Sequence, residues 1–200
     1  RWRRYARHLG PLLEALGQVL AEPLVAPINI PPLDNSAMDG YAVRAADVAG
    51  ADGGSPVGLR VIGHIPAGTV SDQTVEPGTA LRIMTGAPVP EGADTVIAFE
   101  DTDEVERRDS GASMDAVYVR LAAEIGENIR PAAEDVLIGD TVLEAGTVLR
   151  ASELGVAASL SLRSLPVIRR PVVAVLATGD ELLEPGEAHE PAKIYNSNNY

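Results

Sequence analysis

No cysteine occurs in the 200 residues, which excludes disulfides and thiolate chemistry and fits a reducing compartment. Aromatic side chains are scarce, with one Trp, one Phe and five Tyr, so any core must rest on Val, Leu, Ile and Ala. The three histidines, His8, His64 and His189, stand far apart and make no zinc-ligand spacing. No apolar stretch approaches the roughly 18 residues of a spanning helix. The first residues are charged and lack a signal-peptide apolar region. A soluble cytoplasmic protein without a membrane partner is therefore expected. Positive charge is also short: 16 Lys and Arg face 29 Asp and Glu, for a net charge of −13. A general nucleic-acid binder needs a basic surface, so that class is not expected. A local basic pocket for a small anion remains open. Arg1, Arg3, Arg4, Arg7 and His8 read as a solvated helix face or an ordinary terminus.

What is present is a 46% hydrophobic fraction, enough for a sizeable core, and a length that suits one or two domains. Leu12, Leu13, Leu16, Val19 and Leu20 recur near helical spacing, so residues 11–24 are predicted as an amphipathic helix despite Gly17. After Pro23 the chain becomes extended. Residues 57–125 read mainly as β, with short apolar runs at 57–65, 80–84, 95–99 and 116–121 separated by Gly and Pro. That rhythm predicts a small barrel or sandwich, and the charged stretch 101–114 an exposed hairpin loop. Residues 151–160 are expected to form a helix capped by Ser152. Residues 172–177 are apolar on both faces, as a strand buried in a parallel sheet would be.

Four constellations can carry chemistry. The run Pro31-Pro32-Leu33-Asp34-Asn35-Ser36-Ala37-Met38-Asp39-Gly40-Tyr41-Ala42 combines stiff prolines, three turn-forming polar residues and a carboxylate beside a glycine. Leu81 to Pro90 joins a strand to a Gly/Pro-rich loop, where Thr85 can donate a hydroxyl and Gly86 admits a close approach. Arg82 reads there as a surface charge or as an anion anchor. In Asn128-Ile129-Arg130, Arg130 can pair with phosphate or oxyanion oxygens through its planar fork. Asp135 can orient that Arg, join a metal site or make an ordinary surface ion pair with it. Thr178-Gly179-Asp180-Glu181 follows the expected buried strand, at the end where open α/β sheets gather ligands. Asp180 and Glu181 can bind Mg²⁺, which prefers oxygen ligands, or can simply be acidic residues at a helix start.

In family order and at plausible spacing, these stretches together resemble the MoeA family, the molybdopterin molybdenumtransferases. The likeness includes Asp-Asn-Ser-Ala-Met-Asp-Gly-Tyr at 34–41, Thr-Gly-Ala-Pro at 85–88, Gly-Ala-Asp at 92–94, and Ile194-Tyr195-Asn196-Ser197-Asn198. It departs at Leu33, where an aromatic is usual, at Ala133, where Gly is typical, and at Asn196, where many members have Asp. The resemblance implies a multidomain α+β chain. Residues 1–45 and 126–168 would form a discontinuous N-terminal α/β linker domain, with 46–125 a β-rich inserted domain. Residues 169–200 would begin an α/β molybdopterin-binding domain with its first strand, the remainder lying beyond this chain.

The activity implied is molybdenum insertion: adenylylated molybdopterin and molybdate yield molybdenum cofactor and AMP, with Mg²⁺ assisting. By motif match Asp39, Thr85, Asp135 and Glu181 would be catalytic. Ser36, Arg130, Thr178, Gly179, Asn196 and Ser197 would bind substrate, and Asp180 and Glu181 would be the candidate metal ligands. Family likeness also implies a homodimer with an intersubunit site, and contacts with a molybdopterin adenylyltransferase or with molybdenum-enzyme maturation proteins. Two other readings compete: a non-catalytic dimerisation or binding fragment, and a molybdopterin adenylyltransferase, against which the long β region argues.

Overall fold

A computed structural model describes residues 12–198. The basic group Arg1, Arg3, Arg4, Arg7 and His8, and Pro11 at the start of the expected helix, lie outside the described residues. The chain is mixed α/β. Its first elements are β1 (Leu24–Val25), β2 (Asn35–Ser36), β3 (Gly40–Val43) and α1 (Ala45–Val48). There follow β4 (Val57–Ile65), β5 (Thr79–Ile83), β6 (Thr95–Ala98), a 3-10 turn (Phe99–Asp101), α2 (Glu104–Ser110) and β7 (Ala116–Val119). The last are β8 (Ile129–Arg130), β9 (Thr141–Leu143), α3 (Ala151–Ser159), β10 (Leu182–Leu183) and β11 (Ile194–Tyr195).

Five strands make the main sheet in the order β6-β3-β5-β4-β7. Its ladders are antiparallel apart from β4–β5, which run parallel. The small barrel or sandwich expected from sequence takes the form of one sheet whose edge strands, β6 and β7, make no ladder with each other. Side chains alternate between its faces, as strand geometry requires. Tyr41, Val43, Leu59, Ala80, Ile97, Val117 and Val119 fill one side. Ala42, Ile65, Leu81, Ile83 and Val96 fill the other. Burial on both faces explains why runs such as 79–83 and 95–98 are almost wholly apolar. Strand β3, which precedes residue 46, lies second in the sheet. A separate apolar cluster joins Leu12, Ala15, Leu20 and Leu24 to Leu149, Leu154, Ala157 and Leu160 near α3.

Several expectations are corrected. Helical turns in the first segment cover only residues 12–14. Gly17 adopts φ +74°, and its N–H donates to Leu149 O at 2.8 Å, which turns the chain out of the helix. Val19 and Leu20 then bridge to Val148 and Val167, so tertiary pairing overrides helical spacing. Within the expected exposed loop at 101–114, α2 packs with Glu104 and Thr102 buried. Helix α3 is not capped by Ser152; Arg150 is its N-cap, and the Glu153 carboxylate accepts the Arg150 N–H at 2.8 Å.

The first strand expected of an α/β domain has no ladder partner among the described residues. Residues 171–178 pair with nothing among the described residues, and Val172 and Leu176 are 86% and 87% exposed. A buried strand needs neighbours on both edges and both faces, and none of the described segments provides them. Nearby, β10 and β11 form an isolated parallel pair.

Candidate functional site

The stretch at 34–40 is held between two other segments. On one side Ser36 N–H donates to Ala87 O at 3.0 Å and Gly86 N–H to Ser36 O at 2.8 Å. Gly86 makes that approach at φ +81°, which a side chain would strain. On the other side β2 pairs antiparallel with β8, setting Asn35 against Arg130 and Ser36 against Ile129. Ala37 N–H adds a bond to Asn128 O at 2.9 Å. The Asp34 carboxylate accepts Ala132 N–H at 2.7 Å, tying down the turn after Arg130. Two segments distant in sequence, 86–87 and 128–132, thus meet around the four consecutive residues 34–37.

Within this junction Ser36 shapes a tight turn. Its Oγ donates to Met38 O at 2.5 Å and accepts Met38 N–H at 3.2 Å. The side chain is fully buried, so any effect of Ser36 on a ligand runs through the turn. That turn presents Asp39 to Thr85. Both the N–H and the Oγ1 hydroxyl of Thr85 donate to Asp39 Oδ1, each at 2.7 Å. The second oxygen of Asp39 accepts no bond among the described residues. Asp39 therefore titrates below the usual carboxylate range: the Thr85 amide bond is the main cause, then its hydroxyl, and together they outweigh desolvation, with the Arg82 charge the smallest contribution.

Arg130 is exposed, and its guanidinium makes no hydrogen bond or ion pair among the described residues. It lies one position from Ile129 and Pro131, which line a surface depression of about 490 Å³ with Asp34, Val89 and Asp94. Asp135 sits on the same returning segment, where its N–H donates to Ile30 O at 2.9 Å. Its exposed carboxylate makes no ion pair with Arg130, so the local pair that sequence left open does not form. Ala133 stands at φ +63°, the left-handed conformation a glycine would favour, and donates to Pro31 O. The turn keeps its form there at a strain of about 1 kcal/mol. Leu33 is half exposed and packs little.

The C-terminal candidates form their own group. Ile194 N–H donates to Glu181 O and Asn196 N–H to Leu183 O, which bring 178–183 beside 194–197. Thr178, Gly179, Asp180, Glu181 and Ser197 are exposed. Asn196 is buried and donates from Nδ2 to Glu184 Oε1 at 3.1 Å. An aspartate in its place would set two carboxylates together, so Asn suits this neighbour. Glu181 folds its carboxylate over Gly179, into the space a Cβ would take. Among the described residues, no His, Cys, Asp and Glu cluster of three or more exists. Asp180 and Glu181 are adjacent and exposed, a pair that can supply two of the oxygen ligands of a Mg²⁺ ion that keeps several waters. No hydrogen bond, ion pair or strand pairing among the described residues joins this group to Asp39, Thr85 or Arg130.

Sequence reasoning left Arg82 undecided and missed Glu104. Arg82 is neither a free surface charge nor an anion anchor: its Nε and Nη2 donate to the two Glu104 oxygens at 3.0 and 2.7 Å. Glu104 is 3% exposed. Burial pushes its pKa up, but hydrogen bonds from Arg82 and Tyr41 and the Arg82 charge bring it net below the ordinary 4.5. Burial raises the Tyr41 phenol well above its usual value, reinforced by Glu104. Nothing in the charged string around Glu104 marks it as buried, since only packing of α2 on the sheet does so.

A carboxylate with a depressed folded-state pKa stabilises above its unfolded pKa, and that stability disappears as pH falls through the folded value. Stability, followed by urea unfolding, should therefore decline below about pH 4.5. Glu104→Gln should lower stability at neutral pH by about 3 kcal/mol, by leaving Arg82 unpaired, and should flatten the acid limb. An unchanged acid limb would assign that limb to other carboxylates.

The fold is mixed α/β, and its loop junction carries the Asp39 carboxylate bonded to the Thr85 hydroxyl, with the unpaired Arg130 opposite Asn35 on the neighbouring strand. The MoeA N-terminal region (domain I and II) matches residues 5–161, and the chain belongs to this family. It is 47% identical over 188 residues to molybdopterin molybdenumtransferase 2 of Mycobacterium tuberculosis (strain CDC 1551 / Oshkosh), covering 94% of this chain and 44% of that protein. It is 42% identical over 185 residues to the molybdopterin molybdenumtransferase of Staphylococcus epidermidis, covering 92% and 42%. The crystal structure of the molybdopterin biosynthesis moeA protein from Pyrococcus horikoshii OT3 superposes with TM-score 0.81 at 35% identity, over 98% of this chain and 54% of that one. The chain thus spans under half the length of the curated relatives. Among the described residues no helix is long and apolar enough to cross a membrane.

Proposed function

We propose that this chain supplies part of the site at which molybdate is inserted into adenylylated molybdopterin, with release of AMP, during molybdenum cofactor biosynthesis in the cytoplasm. The observation that carries the reading is the Asp39–Thr85 pair built onto the segment that also pairs with Arg130. It stands in a chain whose relatives are named molybdopterin molybdenumtransferase. Arg130 has an open planar fork, suited to a phosphate or molybdate oxygen. Asp39 is held ionised by two donors on one oxygen, which leaves the other to accept a hydrogen bond from substrate and to keep a negative charge in place. No nucleophile is required of the protein; positioning and charge compensation are its part.

The complete reaction belongs to the longer protein. Thr178, Gly179, Glu181, Asn196 and Ser197 would serve from the C-terminal segment, and Asp135 from the edge of the junction. Mg²⁺ is part of the proposal as a charge-neutralising cation that Asp180 and Glu181 would help to hold, with waters and substrate oxygens completing its shell; no step is assigned to it. The proposal includes a homodimer whose site takes Asp39 and Thr85 from one subunit and Glu181 from the other, which is compatible with the two groups standing apart in this chain. A molybdopterin adenylyltransferase would be the natural supplier of the substrate.

In the full-length protein, AMP release from adenylylated molybdopterin should require molybdate, and equal release without it would overturn the reading. Site sharing has its own test. Mixing an Asp39→Asn chain with a Glu181→Gln chain, after mass-tag confirmation of subunit exchange, should restore activity to about a quarter of wild type. Random pairing makes half the dimers mixed, each with one intact site of two. Exchange without recovery would place both residues in one subunit.

A further inference from the structure

We propose that Arg82, clamped by the buried Glu104, is a positioning residue that holds the turn carrying Thr85 against Asp39. The proposal rests on the reading of Asp39 and Thr85 as groups that meet the substrate. Arg82 and Tyr41 are Cα partners in the β3–β5 ladder, and Gly40 pairs with Ile83. Asp39 and Thr85 therefore leave the same end of that ladder, on adjacent strands. The ladder ends at this point; the two loops stay joined by backbone bonds only further along, at Ser36 with Gly86 and Ala87 and at Asp34 with Val89, so the approach of Thr85 itself to Asp39 depends on side chains.

Arg82 spans the gap with its two sides. Nε and Nη2 grip the Glu104 carboxylate as a fork, while Nη1 donates to Met84 Sδ at 2.9 Å. Met84 is the residue directly before Thr85. Glu104 is an anchor that cannot drift: it is buried, its N–H donates to Thr102 Oγ1 at 3.1 Å, and the fully buried Tyr41 lies against it. A fork that served only to dock α2 on the sheet would not need the Met84 contact. The Thr85 turn has little else to fix it. Thr85 and Gly86 are exposed; backbone bonds tie the residues on either side, Met84 to Ile65, Gly86 and Ala87 with Ser36, Ala87 to Met84 and Val89 to Asp34, but none of them is made by Thr85. The Arg82 charge also favours the ionised Asp39, as the smallest of the influences on it. A planar guanidinium can grip a carboxylate and reach a second group at once, which an ammonium cannot do.

The test uses NMR on this chain and needs no turnover, so it stands or falls separately from the enzymatic reading. The Thr85 amide proton, bonded to Asp39, reports both the titration of that carboxylate and the opening of the turn. In Arg82→Met, Thr85 amide exchange should quicken by about tenfold, and the Asp39 transition should move up as the Thr85 bonds that lower it loosen. The Val96 amide, bonded to Glu127 O in another part of the sheet, should keep its protection. Arg82→Lys, which keeps the charge but not the fork, should restore neither the slow exchange nor more than a small part of the titration shift. Should Arg82→Met unfold, the double variant Arg82→Met with Glu104→Leu replaces the pair by apolar groups that a core accepts, and it should show the same two changes at Thr85. Unchanged Thr85 exchange and titration in the folded single or double variant, with faster exchange confined to α2 amides such as Arg107, would overturn the proposal and leave the pair as a helix dock.

Discussion

Asp39→Asn in the full-length protein is expected to lower turnover on adenylylated molybdopterin by roughly 100-fold or more, with the fold retained. The substitution discriminates because both Thr85 bonds end on one oxygen, Oδ1. An asparagine can present a carbonyl oxygen at that place and keep both bonds while removing the charge. Loss of rate then reads the charge, not the architecture of the turn. Unfolding midpoints in urea should stay within about 0.5 kcal/mol of wild type, as surface changes usually do. Normal turnover in a folded Asp39→Asn protein would remove Asp39 from the chemistry. Asp39→Ala, which deletes the acceptor, should additionally free the Thr85 turn.

Gly40→Ala should be the most destabilising single change near the site, at about 3 kcal/mol or more. A Cβ at this position would run into Ile97 O, a backbone atom of the neighbouring strand, with Ile97 C and Ala98 Cα close behind. No rotamer change can relieve a clash with backbone; β3 would have to leave β6. Gly40 pairs with Ala98 on one side and Ile83 on the other, so both ladders of β3 would suffer. Circular dichroism and urea unfolding of the chain would measure the loss, and wild-type stability would refute the packing argument. The glycine after Asp39 is thus required by strand packing; its φ is not in the left-handed region.

The four motif stretches were legible because their residue types serve local geometry. Asp34, Asn35, Ser36 and Asp39 sit in turns whose bonds they make with their own neighbours or with adjoining loops, and the Gly and Pro boundaries of β4 to β7 mark strand ends directly. Arg82 was not legible in the same way. Its partner Glu104 lies 22 positions away in a string of charges that resembles a solvated loop. Glu104 is buried only because α2 packs against the sheet. The helix predicted over 11–24 failed for a related reason: its apolar spacing was real, but Val19 and Leu20 satisfy their backbone bonds with residues near 148 and 167.

Taken alone, the order of residues determined the local turns, the β-rich middle of the chain and its likeness to the MoeA family, because turn chemistry, strand composition and motif spacing act over a few neighbours. The tertiary structure decided the strand order β6-β3-β5-β4-β7, the meeting of residues 34–40 with 84–88 and 128–132, and the pairing of Arg82 with Glu104. Those outcomes depend on contacts between residues tens of positions apart, where burial and hydrogen-bond completion across the whole chain outweigh any local preference.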